Sequence, residues 1–288
     1  MKELLKGAYD LHIHTSPDVV KRKYTDLETA KRCADAGMAG FAIKSHHFNT
    51  GARAAICREL YPELNVIGCL TLNRALGGIN PYAIEMAAHL GCKIVWFPTV
   101  NSKSEQEFNS RTGRKKSYGA GGNFSIEIPS ISIFDEYGKL IPEVYEVLEV
   151  ISHFDMVMAT GHISKEESMA LIRAGHEAGL KKMVVTHPEF PATYASAEEQ
   201  KFYVEKGAYV EHCYHTVWSN GCSHEEIITQ IKEIGPGHIY LTSDLGQIDS
   251  PDPVAGLLEF IEILMTEGGI SKDDIRTMIV DNPSFLVE

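Results

Sequence analysis

The sequence predicts an α/β fold, a single (β/α)8 barrel of the TIM type, and three observations carry that prediction. Segments with strand character recur eight times, ending near residues 14, 46, 72, 98, 162, 187, 212 and 244. A segment with helix character follows each of them. No proline-rich linker or change of composition divides the 288 residues, so all eight units belong to one domain, 1–288. Strand–helix alternation implies a parallel sheet, and eight such units imply a closed one. An open doubly wound sheet is the competing architecture.

Taken in order, Tyr9-Asp-Leu-His-Ile-His14 is the first strand. Tyr9, Leu11 and Ile13 alternate with Asp10, His12 and His14, and a period of two sends the second set to one face. Thr15, Ser16 and Pro17 end it. Thr25 and Glu28 form a capping box for a helix that stops at Gly37. Phe41 to His46 reads as the second strand, followed by a helix over Gly51 to Leu60 that Pro62 terminates. Asn65 to Leu72 is the third strand, Tyr82 to Leu90 the next helix, and Lys93 to Pro98 the fourth strand. The rhythm then breaks at an insertion, 101–141. Its first part, Asn101 to Ser130, is polar and glycine-rich, and a loop this long inside a domain is usually functional or disordered. Ile131 to Ile141 reads as a small hairpin turning at Tyr137-Gly138. We expect the insertion to form a lid over a site.

A helix from Glu143 then places Val144, Val147, Leu148 and Ile151 on one face. Met156 to Thr160 is the fifth strand, Lys182 to His187 the sixth, Ala208 to His212 the seventh and His238 to Asp244 the eighth. The pairs Ser164/Glu167, Ser196/Glu199 and Ser223/Glu226 cap the helices between them. Val254, Leu257, Leu258, Ile261, Leu264 and Met265 form the stripe of the last long helix. A short helix from Ser271 ends at Asn282-Pro283.

A chain of this size buries about 75% of the surface it exposes when unfolded. Its net charge of −12 argues against nucleic acid or an anionic membrane as partner. With no apolar run of spanning or leader type, we expect a cytoplasmic protein acting on a small molecule, with a homo-oligomer left open. Cys33, Cys57, Cys69, Cys92, Cys213 and Cys222 contain no C-x-x-C and are expected as reduced thiols.

The thirteen histidines carry the chemistry. In such a barrel, active sites sit at the C-terminal ends of the strands. His12 and His14 end strand one, His46 and His47 strand two, His162 strand five and His187 strand six. Glu211 and His212 end strand seven, and Asp244 strand eight. His89, His153, His176, His224 and His238 fall elsewhere and read as structural or solvated. Histidines at five strand ends and an aspartate at a sixth predict a metal site. Imidazole nitrogens with one carboxylate suit zinc first, then manganese, iron, nickel or cobalt.

On His12-Ile-His14, Thr160-Gly-His162, Val185-Thr-His187 and Thr242-Ser-Asp244, in that order, the whole chain resembles the amidohydrolase superfamily of metal-dependent hydrolases. The surroundings of His162 and His187 are also similar to the phosphotriesterase and lactonase branch. The resemblance implies that His12 and His14 hold the metal with Asp244, and that His162 and His187 complete that site or hold a second ion. It implies Asp244 and His187 as catalytic residues, with Asp244 taking the proton from metal-bound water. Elementary chemistry agrees, since zinc lowers the pKa of bound water to roughly 7. The departure lies at strand four. Members with two bridged ions carry a carbamylated lysine or a glutamate there, and this chain has Phe97-Pro-Thr99, which favours one ion. Lys44, His46, Glu211 and His212 are the expected substrate contacts inside the barrel.

The strand Asp10-Leu-His12-Ile-His14, with Asp18 in the next loop, also resembles the polymerase and histidinol phosphatase family of phosphoesterases. Ser45-His46 and Asn73-Arg74 depart from that family's pattern. A single-metal barrel decarboxylase uses the same His, His, His, Asp set, and a metal-binding barrel without turnover is a third alternative. The expected substrate is a small anion cleaved at an ester, lactone or amide bond. Arg111, Arg114, Lys115 and Lys116 cluster in the insertion, and such a local reversal of charge concentrates anions at a site.

Overall fold

Strands that run apolar on both faces have to be covered on both, which is the pattern of a parallel sheet wrapped by helices. The computed structural model describes residues 2–113 and 128–288; Arg114, Lys115 and Lys116 lie outside the described residues. The strands are β1 (Tyr9–His14), β2 (Gly40–Lys44), β3 (Asn65–Thr71), β4 (Cys92–Trp96), β5 (Val157–Ala159), β6 (Met183–Val185), β7 (Tyr209–Cys213) and β8 (Ile239–Thr242). They pair in parallel in sequence order. The barrel closes just beyond β8. Asp244 N donates to His12 O at 2.9 Å, and His14 N donates to Leu245 O at 2.8 Å. The closing seam therefore sets Asp244 beside both histidines of β1.

The alternation expected of β1 is corrected by a bulge. Tyr9 pairs with Gly40 and Asp10 with Phe41, but Ile13 pairs with Ile43. Leu11 and His12 thus oppose Ala42 alone, and one extra residue flips the facing of everything after it. Tyr9 and Leu11 join Ala42, Ile67 and Trp96 in the barrel interior. Ile13 lies instead with Phe41 and Ile43 in the layer between strands and helices. Asp10, expected to share the histidines' face, holds the bulge: its Oδ1 accepts from His12 N and Ser243 N, both at 3.1 Å.

The end of the barrel opposite the histidines is filled by the chain's own last helix. Leu286 and Val287 are buried among the interior residues, and Tyr9 Oη donates to Glu288 at 2.8 Å. That helix was expected to stop at Asn282-Pro283. It continues as Asn282–Val287 after a π-helical turn at Thr277–Asp281. Pro283 sits in a first turn, where its missing N–H costs nothing, and the Asn282 side chain donates to Pro236 O and Ile239 O.

The insertion also differs from a loop. Lys103–Thr112 is helical, capped by Ser102, whose Oγ accepts from Glu105 N. The expected hairpin is reduced to one bridge, Phe134 to Leu140, around Gly138. Glu167 pins it by accepting from Ser132 Oγ at 2.6 Å and Ile133 N at 2.9 Å. All six cysteines are free. Among the described residues no helix is long and apolar enough to cross a membrane.

Candidate metal centre

Most of the expected ligands stand in the first residues after their strands, where the backbone can turn. His162, His187 and Asp244 lie beyond the ends of β5, β6 and β8. His187 (φ 25°) and Asp244 (φ 49°) adopt left-handed backbone, uncommon for non-glycine residues and a frequent mark of functional sites. Gly161 (φ 65°) precedes His162, and a Cβ there would stand 2.2 Å from Phe97 O. Only glycine allows this turn to press against the end of β4.

The structure brings the ligand atoms into two groups. His14 Nε2 is 3.1 Å and His12 Nε2 is 3.2 Å from Asp244 Oδ1. His187 Nε2 and His162 Nε2 face each other at 3.1 Å. An ion with tetrahedral bonds of about 2.0–2.1 Å sets its donor atoms roughly 3.3 Å apart, so both groups have the right spacing. Their rings share one cluster: His12 and His187 are 6.0 Å apart between centroids. His46 lies 4.9 Å from His14 and 6.0 Å from His162.

Carboxylates behind the rings set which nitrogen is offered. His12 Nδ1 donates to Glu211 Oε1 at 3.0 Å, and His162 Nδ1 donates to Glu105. Each ring then presents the Nε2 lone pair, the arrangement in which a buried carboxylate orients a metal-binding histidine. Ser102 assists at His162, its hydroxyl donating to His162 O at 2.6 Å. Glu105 sits on a helix where the polar, glycine-rich sequence predicts a loop, so its role behind His162 is not among the sequence expectations. The Ser102-x-x-Glu105 spacing, a helix-start pattern, was the available signal.

Burial holds the His12, His14, His46 and His187 rings well below the ordinary histidine pKa, helped by each other and by Lys44 or Arg22. They are neutral, the form that binds metal. Burial likewise raises Asp244 well above the carboxylate range, against the pull of Lys44 and Arg22. His14 Nδ1, His187 Nδ1 and Glu211 Oε2 are buried without a hydrogen-bond partner. Asp244 is 14% exposed, whereas the His12 and His14 rings are 1% and 2% exposed, so solvent reaches the cluster at the carboxylate. A further group, His12, Glu211 and Cys213, fits an ion poorly. It would use the Nδ1 that faces Glu211 and a thiol that burial keeps protonated.

The remaining expected residues divide. Lys44 is wholly buried, 3.4 Å from His12 Nε2 and 3.7 Å above the Trp96 ring; burial lowers its pKa to about 8. His46 Nδ1 pairs with Thr99 Oγ1 at 2.8 Å. Thr99 occupies the strand-four position, where Asn73 Nδ2 also donates to it at 2.7 Å. Glu211 lies behind His12 instead of facing the solvent side. His212 points to the other face of β7, with Nδ1 donating to Glu189 Oε2 at 3.2 Å, outside the ring cluster. Arg111 is exposed, 5.9 Å from the Phe108 ring. Phe108 packs at 6.4 Å on Phe190, which lies against His162 and His187. The inserted helix therefore reaches the cluster through aromatic side chains.

A family model, described as a family of unknown function, DUF6282, matches residues 7–211. The chain belongs to DUF6282. The matched span holds His12, His14, His162 and His187 and stops before Asp244. No curated protein matches the chain. Solved structures similar to this DUF6282 member include an amidohydrolase from Pseudomonas aeruginosa, 11% identical, covering 99% of this chain and 97% of that one with a TM-score of 0.64. The probable dipeptidase PvdM from Pseudomonas aeruginosa is 12% identical over 99% and 95% of the two chains, with a TM-score of 0.62. A 2,6-dihydroxybenzoate decarboxylase is 12% identical over 98% and 99%, with a TM-score of 0.57. Likeness at this level of identity carries the eight-stranded barrel and leaves the chemistry to the side chains.

Proposed function

We propose that the protein is a divalent-metal hydrolase of the amidohydrolase type, acting on a small anionic ester, lactone or amide. The observation that carries this reading is the ligand geometry: neutral imidazole nitrogens and one carboxylate at metal-donor spacing, each of two rings oriented from behind by a buried acid. His12, His14 and Asp244 would hold the ion, with His162 and His187 completing the site or holding a second one. When bound, such an ion lowers the pKa of a water and polarises the scissile carbonyl. Asp244, the partly exposed member of the cluster, would accept a proton from the attacking water and pass it to the leaving group. His46 and the Phe190 ring pack beside the ligand rings.

Zinc is the first choice, as imidazole and carboxylate donors suit it. Elemental analysis should find about one tightly held ion per chain, taken up from zinc or manganese if absent on purification. A chain that binds neither ion sinks the proposal, and two ions per chain would require a bridging ligand. Turnover is then sought on a panel of carboxylic esters, lactones, amides and phosphoesters with and without the ion. The second reading is a single-metal decarboxylase. It is favoured by Thr99, whose hydroxyl is engaged by His46 and Asn73 and supplies no bridge between ions. Carbon dioxide release from aromatic acids separates the two. Eight strands, against the seven of the phosphoesterase family considered above, count against that alternative.

A further inference from the structure

The outer helices of a barrel meet water, and most of those in this chain do so with charge. The exposed positions of the helix Pro142–His153 include Glu143, Glu146 and Glu149, and those of Lys165–Glu177 include Glu166, Arg173 and Glu177. Two neighbouring helices depart from this pattern. In Gly51–Leu60 the exposed positions are Ala52, Ile56, Glu59 and Leu60. In Pro81–His89 they are Tyr82, Met86 and His89, followed by Leu90, with no Asp, Glu, Lys or Arg among them. Ile56, Leu60, Tyr82, Met86 and Leu90 are each more than half exposed. Their spacing of four residues sets them in one stripe on each helix.

The stripes adjoin at Leu90. A Cβ on Gly51 would stand 2.9 Å from Leu90 Cβ, and one on Gly91 would stand 3.6 Å from Arg58 Nη2. Single exposed apolar side chains are ordinary on a surface, but a contiguous patch marks a docking face. Charge and area point to a second copy of this chain as the occupant. Each copy carries a net charge of −12, which opposes association except across a face bare of charge. Glu59 is the one exposed acid or base on these two helices. Arg58, partly buried beside it, gives the rim both signs, which suits a two-fold axis that sets one patch against itself. A stable interface covers roughly 800 Å² of each partner, with aromatic and methionine side chains enriched and acidic ones depleted. Five large apolar side chains, each more than half bare, supply the centre of such an area.

We propose that the helices Gly51–Leu60 and Pro81–His89 form the two-fold interface of a homodimer. The face lies on the barrel wall, on the helices that connect β2 to β3 and β3 to β4. Pairing there leaves the histidine-bearing strand ends open, and the inference is independent of the hydrolase reading. The test is sedimentation velocity of the full chain and of variants at exposed positions. The wild type should run as a dimer. Met86→Glu adds a negative charge to the apolar face of each copy and should raise the dimer dissociation constant by about tenfold or more. Tyr82→Glu, at a position 77% exposed, should do the same, and it decides alone if Met86→Glu loses the wild-type circular-dichroism spectrum. Tyr194→Glu, between β6 and β7 on the other side of the barrel, is the control and should leave the dimer intact. A wild type that stays monomeric at about 100 µM overturns the proposal. So does a dimer that both variants leave unchanged, or one that Tyr194→Glu disrupts equally, since either result places the contact elsewhere. A monomer that pellets with phosphatidylcholine vesicles gives the face to a lipid surface and overturns it as well.

Discussion

In the proposed reaction Asp244 would carry two duties, and its two oxygens face different neighbours. Oδ1 faces His12 and His14, while Oδ2 turns toward His215 Nδ1, 3.9 Å away. Asp244→Asn keeps an oxygen for the ion but cannot accept a proton, so turnover should vanish while part of the metal is retained. A kcat near that of the wild type in this variant would move the base to another residue. Glu211 and Asp10 offer a test of protonation. Burial pushes both up to about 7, so folded protein keeps their protons at a pH where the unfolded chain has lost them. Their contribution to stability is complete below about pH 4 and is lost as the pH rises through about 7. In metal-free protein, Glu211→Gln removes one titration and should flatten the fall in urea midpoint between about pH 5 and about pH 8. Parallel pH curves for variant and wild type would show that Glu211 does not titrate this way.

At the scale of elements, the site is made by the turns after the strands. Thr186 N donates to Thr160 Oγ1 and Gly161 N to Thr186 Oγ1, so the ends of β5 and β6 are tied before their histidines emerge. The Gly161 turn has no room for a side chain. Gly161→Ala must push Phe97 O away from 2.2 Å and adopt left-handed backbone, a cost of about 1–3 kcal/mol. Its melting temperature should fall by several degrees, with His162 displaced from His187 and metal affinity reduced. A variant with unaltered melting and metal content would mean that the turn relaxes freely. The inserted helix contributes at the same scale, because Glu105 loses its place behind His162 if the Ser102 cap is removed.

For the whole molecule, closure is the decisive property. Leu286 fills the floor of the barrel from the chain's far end, and Leu286→Ala should cost about 2–5 kcal/mol by the cavity it leaves. Chemical denaturation reads that directly, and a loss under about 1 kcal/mol would mean the floor collapses around the gap. Strand count, parallel order and the ring of histidines at one end were legible in the sequence, because each strand–helix unit announces itself by local periodicity, caps and breakers. So were His12, His14, His162, His187 and Asp244, which end their units in register. What periodicity could not convey is anything set by contacts between units. The bulge in β1 depends on Asp10 reaching Ser243 across the seam. The orientation of His162 depends on Glu105, which a different turn of the chain delivers. Arg22 joins the loop that carries Asp244 through a backbone bridge to Gln247, a contact that no local pattern announces. Local sequence determined which residues arrive at the barrel's end; the closed sheet alone decided which atoms they turn toward one another.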